Sequence, residues 1–212
     1  MTYTIYGMLR SGAFSTEAAL AEAGADYTFE NISLDKNEQK GAAYLALNPS
    51  GKIPALRLPE GAVVTESLAI LLIVAERFPE AQLLPPERSA ARAQALRWLA
   101  FMACEIYPFV EISDYPERFV AAGEQAEALR EKARARIRSN LLVIEREIAE
   151  PWFLKDKFSV LDIYAAMFTR WRGTIGKAWL SSGHIPKLLA LADRLSTRER
   201  IAPVWQRHYG KD

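Results

Sequence analysis

Asn48-Pro49-Ser50-Gly51-Lys52-Ile53-Pro54-Ala55-Leu56-Arg57-Leu58 leads through Pro59-Glu60-Gly61 into Ala62-Val63-Val64-Thr65-Glu66-Ser67. Ile53 to Leu58 and Ala62 to Thr65 read as two short strands, and the Pro/Gly-containing turn between them makes a hairpin. Upstream, Lys40 to Leu47 reads as a short helix that Asn48-Pro49 stops. Downstream, Glu66 to Phe78 is almost wholly apolar until Glu76, which predicts a helix buried on most of its surface. Further out, Thr2 to Tyr6 alternates in polarity with β-branched and aromatic residues, as a strand does. Gly7 to Ser15 is a loop. Thr16 to Ala23 is Ala/Glu-rich and ends at Gly24, as a helix with a C-terminal glycine does. Tyr27 to Leu34 reads as a second strand. The order is β-α-β-α-β-β-α.

Pro79, Pro85 and Pro86 mark a linker, and no strand signal follows them. Leu96, Leu99, Ala103 and Ile106 recur at helical spacing, as do Leu129, Ala133, Ile137, Leu141, Ile144 and Ile148 on a long charged helix, Glu124 to Glu150, that Pro151 ends. Ser159-Val160-Leu161-Asp162 has the spacing of a capping box, with Phe158 and Ile163 as its hydrophobic staple, and starts a helix through Trp171. Pro186 to Leu195 and Arg198 to Trp205 are two more helices. The expected architecture is an α/β domain over residues 1–80 and an all-helical domain over residues 88–212.

Composition narrows the function classes. Half of the 212 residues are apolar, enough for a core, and the formal net charge is +1. No basic run suggests nucleic acid, because the Arg-rich stretch from Arg130 to Arg138 carries Glu as well. The longest apolar run, Leu68 to Ala75, is too short to span a bilayer, and no signal peptide is read at the N-terminus. Cys104 is the one cysteine, which excludes an internal disulfide and fits a reducing compartment, the cytoplasm. It is expected to be an inert buried thiol. His184 and His208 have no Cys/His cluster around them, so no metal site is expected.

Three constellations in the first domain carry candidate chemistry. A proline at the start of a strand lacks the N–H that a central strand uses. A cis Ile53–Pro54 bond would turn the Ile53 N–H and C=O outward to pair with an extended peptide; an edge-strand proline in trans is the other reading. In the second, Ser67 at a helix N-terminus has an N–H and a hydroxyl for a carboxylate, and Glu66 has a charge for an ammonium. Simple capping by Thr65, with Glu66 as a first-turn acid, explains the same residues. In the third, Arg10-Ser11-Gly12-Ala13-Phe14-Ser15, Ser11 has a hydroxyl donor for a thiolate, or else Ser11 fills a loop and Ser15 caps the helix.

Ile53-Pro54, Glu66-Ser67 and the Ser159-x-x-Asp162 box, in this domain order, resemble the cytosolic glutathione S-transferases over essentially the full chain. The resemblance is to serine-type or divergent bacterial members, because the loop after the first strand has no cysteine. It implies a thioredoxin-like first domain with a cis proline at Pro54. Ile53 would pair with the cysteinyl backbone of glutathione, Glu66 and Ser67 would bind the γ-glutamyl end, and Lys52 would lie near the glycine carboxylate. Ser11 falls at or beside the catalytic position, with Arg10 and Gly12 as neighbouring alternatives. In some bacterial relatives backbone N–H groups serve instead, a role open to the Gly12 and Ala13 amides. Tyr6 lies too early.

The implied reaction is attack of the glutathione thiolate on a small apolar electrophile. Glutathione is then the co-substrate, no metal takes part, and a two-fold homodimer is the expected assembly. Arg10, Tyr107 and Trp171 are the candidates for the co-substrate pocket, with Met102, Phe109 and Tyr115 behind them. Glutathione-dependent reduction of a disulfide or peroxide, and a non-catalytic glutathione-binding module, are the rival readings of the same fold.

Overall fold

Strand alternation decides the first sheet. In Tyr3–Gly7 (β1), Tyr3, Ile5 and Gly7 are buried while Thr4 and Tyr6 are half-exposed, which puts one edge of each residue pair against a helical layer. The computed structural model describes residues 2–210. β1 pairs in parallel with Tyr27–Asn31 (β2) and antiparallel with Ala55–Arg57 (β3), which pairs antiparallel with Val63–Thr65 (β4). The sheet order is β2-β1-β3-β4. This is the thioredoxin-like arrangement, with Ala13–Ala23 (α1) and Ser67–Arg77 (α3) packed together and the short Ala42–Leu45 (α2) before β3.

α1 starts three residues earlier than the Ala/Glu pattern predicts. Its N-cap is Gly12, and Ser15 lies inside the helix with its hydroxyl donating to the Gly12 carbonyl at 2.9 Å. Ala13, Ala18 and Ala19 are fully buried, and these small side chains let α1 lie close on the sheet. Gly7 belongs to the same contact, because a Cβ there would collide with the Cβ of Ala13. Gly24 ends α1 in the left-handed conformation, its N–H returning to Ala21 at 3.0 Å.

By their contacts, residues 2–84 and 194–210 form one compact unit and residues 85–193 another. In the first, Ala202–Tyr209 (α11) packs on α1: Phe14 meets the rings of Trp205 and Tyr209 at centroid distances of 5.4 and 5.0 Å.

The second unit is helical: Ala90–Glu105 (α4), Tyr107–Asp114 (α5), Glu124–Glu147 (α6), Val160–Phe168 (α7), Arg172–Ile175 (α8), Lys177–Leu180 (α9) and most of Pro186–Ser196 (α10). α6 presents Ala133, Ile137, Leu141 and Ile144 to the core at helical spacing, as the sequence pattern predicts, and α7 is buried on every side. The capping box is formed. The Ser159 N–H donates to Asp162 Oδ2 at 2.8 Å, and Ser159 Oγ accepts from the Leu161 N–H at 3.3 Å. Asp162 Oδ1 also takes the Phe153 N–H at 2.7 Å, tying the preceding loop to the helix. Glu145 does the same for α10, accepting the Lys187 and Leu188 N–H groups at 2.8 and 2.9 Å.

Phe158, just before the box, packs its ring on Trp152 at 5.2 Å. One expectation changes here. Cys104 is exposed, because it lies on the outer face of α4, whose inward residues are Ala95, Trp98, Leu99 and Met102.

Candidate functional site

The strand register gathers the three constellations. Tyr6 stands opposite Ala55, and Ala55 stands opposite Thr65. The chain therefore leaves β1, enters β3 and leaves β4 at one end of the sheet. Met8 to Gly12, Ile53-Pro54 and Glu66-Ser67 all belong to that end, and so do the N-termini of α1 and α3. First-turn N–H groups of a helix have no partner within it, and the helix dipole adds positive potential there. The end of the sheet is thus suited to a ligand that carries anionic groups and an extended backbone.

The segment before β3 is held from beneath. The Lys52 carbonyl accepts the Tyr44 hydroxyl at 2.7 Å and the Asn48 amide at 2.6 Å. Asn48 Oδ1 accepts the Ser50 N–H at 3.1 Å and the Ser50 hydroxyl at 2.8 Å. Burial pushes the Tyr44 phenol up to about 12, so it remains a donor across ordinary pH. Gly51 adopts φ +59°, and a Cβ there would come to 2.9 Å from the Gln39 carbonyl. The Ile53–Pro54 bond is cis, with Ile53 half-buried and the Lys52 side chain exposed.

At the end of β4, Glu66 is exposed and is the N-cap of α3 at φ +65°, a left-handed conformation that costs a non-glycine residue roughly 1 kcal/mol. Glu66, rather than Thr65, therefore opens the helix. The Ser67 side chain is buried at the first helical position.

In the loop after β1, the Ser11 hydroxyl donates to the Met8 carbonyl at 2.6 Å, and Ser11 Oγ accepts the Ala13 N–H at 3.2 Å. The Ala13 amide is thereby engaged. The Gly12 N–H has no acceptor among the described residues. Arg10 is exposed and adopts φ +66°. The Tyr6 hydroxyl oxygen accepts the Arg57 Nε–H at 3.0 Å, on the half-exposed side of β1.

A buried polar centre lies behind this loop, and the sequence reading missed it. His208 Nδ1 accepts the Arg10 N–H at 3.1 Å, and His208 Nε2 lies 2.8 Å from Glu17 Oε2. Glu17 Oε1 takes the Tyr27 hydroxyl at 3.1 Å and pairs with Arg207. Both Glu17 and His208 are nearly inaccessible to solvent. An Nδ1 that accepts leaves the ring proton on Nε2, aimed at Glu17. Burial, and secondarily the Arg207 guanidinium, push the imidazole down to about 3, so the ring is neutral. The one available signal was Glu17 itself, a charge at a position of α1 flanked by residues that all pack inward.

Of the co-substrate candidates, Tyr107 and Trp171 meet edge-to-face at 5.4 Å in the second unit, with Tyr164 stacked on Tyr107 at 5.9 Å and Phe168 against both. Arg10 belongs to the first unit. Met102 is fully buried, which makes it core rather than pocket wall. Phe109 and Tyr115 carry the guanidinium groups of Arg136 and Arg118 over their rings.

Residues 1–76 match the family model of the glutathione S-transferase N-terminal domain, and residues 95–199 that of its C-terminal domain. Glutathione S-transferase GstA of Escherichia coli O157:H7 is 29% identical over 194 residues, covering 89% of this chain and 90% of that one. Maleylacetoacetate isomerase of Pseudomonas aeruginosa is 32% identical over 168 residues, 76% of each chain. Among solved structures, a glutathione transferase from Methylococcus capsulatus superposes with a TM-score of 0.80 at 27% identity, covering 97% of this chain and 98% of that one. A glutathione transferase homologue from Sulfitobacter, with bound glutathione, superposes with a TM-score of 0.88 at 24% identity and 97% and 98% coverage.

Proposed function

Because the chain belongs to the glutathione S-transferase family, we propose that it binds glutathione at the end of its sheet and conjugates the thiolate to a small apolar electrophile. The observation that carries this reading is the register that gathers two helix N-termini, the Ile53 backbone and the Ser11 loop at one edge. Glutathione has a carboxylate and an ammonium at its γ-glutamyl end, a peptide backbone in the middle and a thiol. Ser67 and the first turn of α3 take the carboxylate, and the Glu66 side chain takes the ammonium. Ile53 pairs with the cysteinyl backbone, and Lys52, whose side chain is exposed, meets the glycine carboxylate.

The thiol then faces the loop after β1. Ser11 is the activating residue when its proton turns from the Met8 carbonyl to the sulfur, aided by the Gly12 N–H. Donors aimed at the sulfur stabilise the thiolate and lower the thiol pKa from near 8.5; each unit is worth about 1.4 kcal/mol. The sulfur lone pair forms the new C–S bond. A leaving group departs with its electron pair, or an activated alkene takes up the proton that the thiol has lost.

The test is titration of bound glutathione by thiolate ultraviolet absorbance in the native protein and in Ser11→Ala. A depressed thiol pKa that reverts in Ser11→Ala supports the hydroxyl as donor. Equal depression in both transfers the role to the Gly12 amide, a result consistent with the bond that the Ser11 hydroxyl makes to Met8. Glutathione bound with an unshifted pKa removes the catalytic reading and leaves a binding module. Turnover of a small disulfide that outruns conjugation makes the same thiolate a reductant.

A further inference from the structure

The Glu17–His208 pair is more than a satisfied polar contact in a core. Its outer nitrogen is spent on one backbone group, the N–H of Arg10, across 198 residues of sequence. Arg10 occupies the left-handed region at φ +66°, where side chains with a Cβ are disfavoured and persist only when their surroundings fix them. Two bonds do this. Ser11 Oγ holds the Met8 carbonyl on one side of Arg10, and His208 Nδ1 holds the Arg10 N–H. The next two residues are Ser11, whose proton can pass from the Met8 carbonyl to the sulfur while the His208 bond still holds Arg10, and Gly12, whose N–H is the other proposed donor. A rotation of the Arg10 backbone would re-aim both.

The imidazole is itself held from every side. Phe14 and Phe29 stand edge-on to it at 5.4 and 6.1 Å, and Tyr209 lies at 5.7 Å. Glu17 fixes the tautomer by accepting the Nε2 proton. Among the described residues the charged and titratable groups at the pair are Arg207 and Tyr27, both on Glu17, and Tyr209, whose ring lies against the imidazole. Arg207 balances the carboxylate, so the ring has no need to carry a charge and Nδ1 stays an acceptor.

Resting on the glutathione reading of the first unit, we infer that Glu17 and His208 are positioning residues that hold the Arg10 amide and thereby aim the Ser11–Gly12 turn at the glutathione sulfur. Neither touches the reacting atoms. Their effect passes through one backbone hydrogen bond.

Three substitutions separate the two ends of the imidazole. His208→Asn keeps an acceptor near the position of Nδ1 and drops the donor to Glu17. His208→Gln keeps a donor toward Glu17 and drops the acceptor. His208→Phe drops both. Bound glutathione is titrated by thiolate absorbance in each, and kcat and KM are measured with an aryl halide, alongside thermal unfolding. The expected result is a thiol pKa about one unit higher in His208→Gln and His208→Phe, a loss of thiolate that approaches roughly tenfold at a pH well below the native thiol pKa. kcat falls with it while the KM for glutathione holds, and His208→Asn recovers most of both despite its own loss of stability. A purely structural role would make activity follow the unfolding temperature, with His208→Asn no better than His208→Gln, and that result overturns the inference.

An unshifted thiol pKa in the native protein would refute the catalytic reading itself, whereas a shifted native value that no variant moves refutes only the positioning role. If the variants do not fold, the native protein decides. The two-bond ¹⁵N–¹⁵N coupling between the Arg10 amide and His208 Nδ1 is expected to be detectable in solution, and its absence overturns the inference.

Discussion

Each unit builds a helix around a carboxyl group that solvent does not reach, Glu17 in the first and Asp162 in the second, but the partners come from different distances. Asp162 is satisfied by neighbours: Ser159 three residues away and Phe153 nine away. Glu17 is satisfied by Tyr27 and by Arg207 and His208, the last 191 residues away. A local centre announces itself as a motif, because chain geometry fixes who meets whom. A long-range centre has no spacing to read. The two also answer to pH in opposite senses, since one rests on a buried base and the other on a buried acid.

The comparison is broken most directly by removing each carboxylate. Glu17→Ala strands the Nε2–H of His208, the Tyr27 hydroxyl and Arg207. Removing one partner of such a buried group costs roughly 3–5 kcal/mol, read as a fall in the urea midpoint of the first unit. Asp162→Ala orphans two buried N–H groups, and each orphan costs about 1–3 kcal/mol, so a loss near the middle of the summed range is expected in the second unit. A loss in either case no larger than that of a surface substitution would show that the centre is not structural.

The pH dependence sharpens the contrast. His208 falls from 6.5 in the unfolded chain to about 3 when folded. Its contribution is complete above 6.5. As pH falls below that value the unfolded chain takes up a proton that the folded one refuses, and stability drops by up to about 1.4 kcal/mol per unit. Asp162 rises from 3.8 to about 7, because burial outweighs the amides that donate to it. Its contribution is complete below 3.8. As pH rises toward 7 the unfolded chain loses a proton that the folded one keeps, so stability drops in the other direction, with the same limit of about 1.4 kcal/mol per unit. Hydrogen exchange read residue by residue between pH 4.5 and 6.5 should therefore show the first unit gaining protection with pH and the second losing it. His208→Phe should flatten the first slope and Asp162→Asn the second. Parallel slopes in the two units would refute the assignment. Smallest of all, Cys104→Ser on the exposed face of α4 should move stability by no more than about 0.5 kcal/mol, and a maleimide should label the native thiol about as fast as the unfolded one.

What the sequence made legible follows the same division. The four strands, the apolar α3, the α6 core row and the Ser159 box are all local patterns, and each is present in the structure. The capping glycine of α1 was misread as Ser15 because a serine before an apolar run is the commoner signal, whereas here a buried alanine at position 13 already needs the helix. α5 has Pro108 in its first turn, where a proline starts a helix as readily as it ends one. Cys104 was expected inside from its apolar neighbours but is exposed, and Leu96, a member of the α4 spacing row, is also 39% exposed. Ile53, Pro54, Glu66 and Ser67 could be placed at one end of the sheet from the sequence because strand and helix ends fix them. Tyr44, whose hydroxyl holds the Lys52 carbonyl, and His208, which holds Arg10, were not, because only the folded chain brings them to those atoms.

His208 comes late in the chain, after the whole helical unit, while the turn that it holds comes in the first dozen residues. A ribosome therefore releases the sheet, the Ile53 segment and the α3 N-terminus long before it releases the group that locks the Ser11 turn. During synthesis the growing protein has the outline of a site without its final clamp. The first unit is thus completed by residues that the chain supplies only after the helical unit, and its buried carboxylate has no counter-charge until Arg207 arrives.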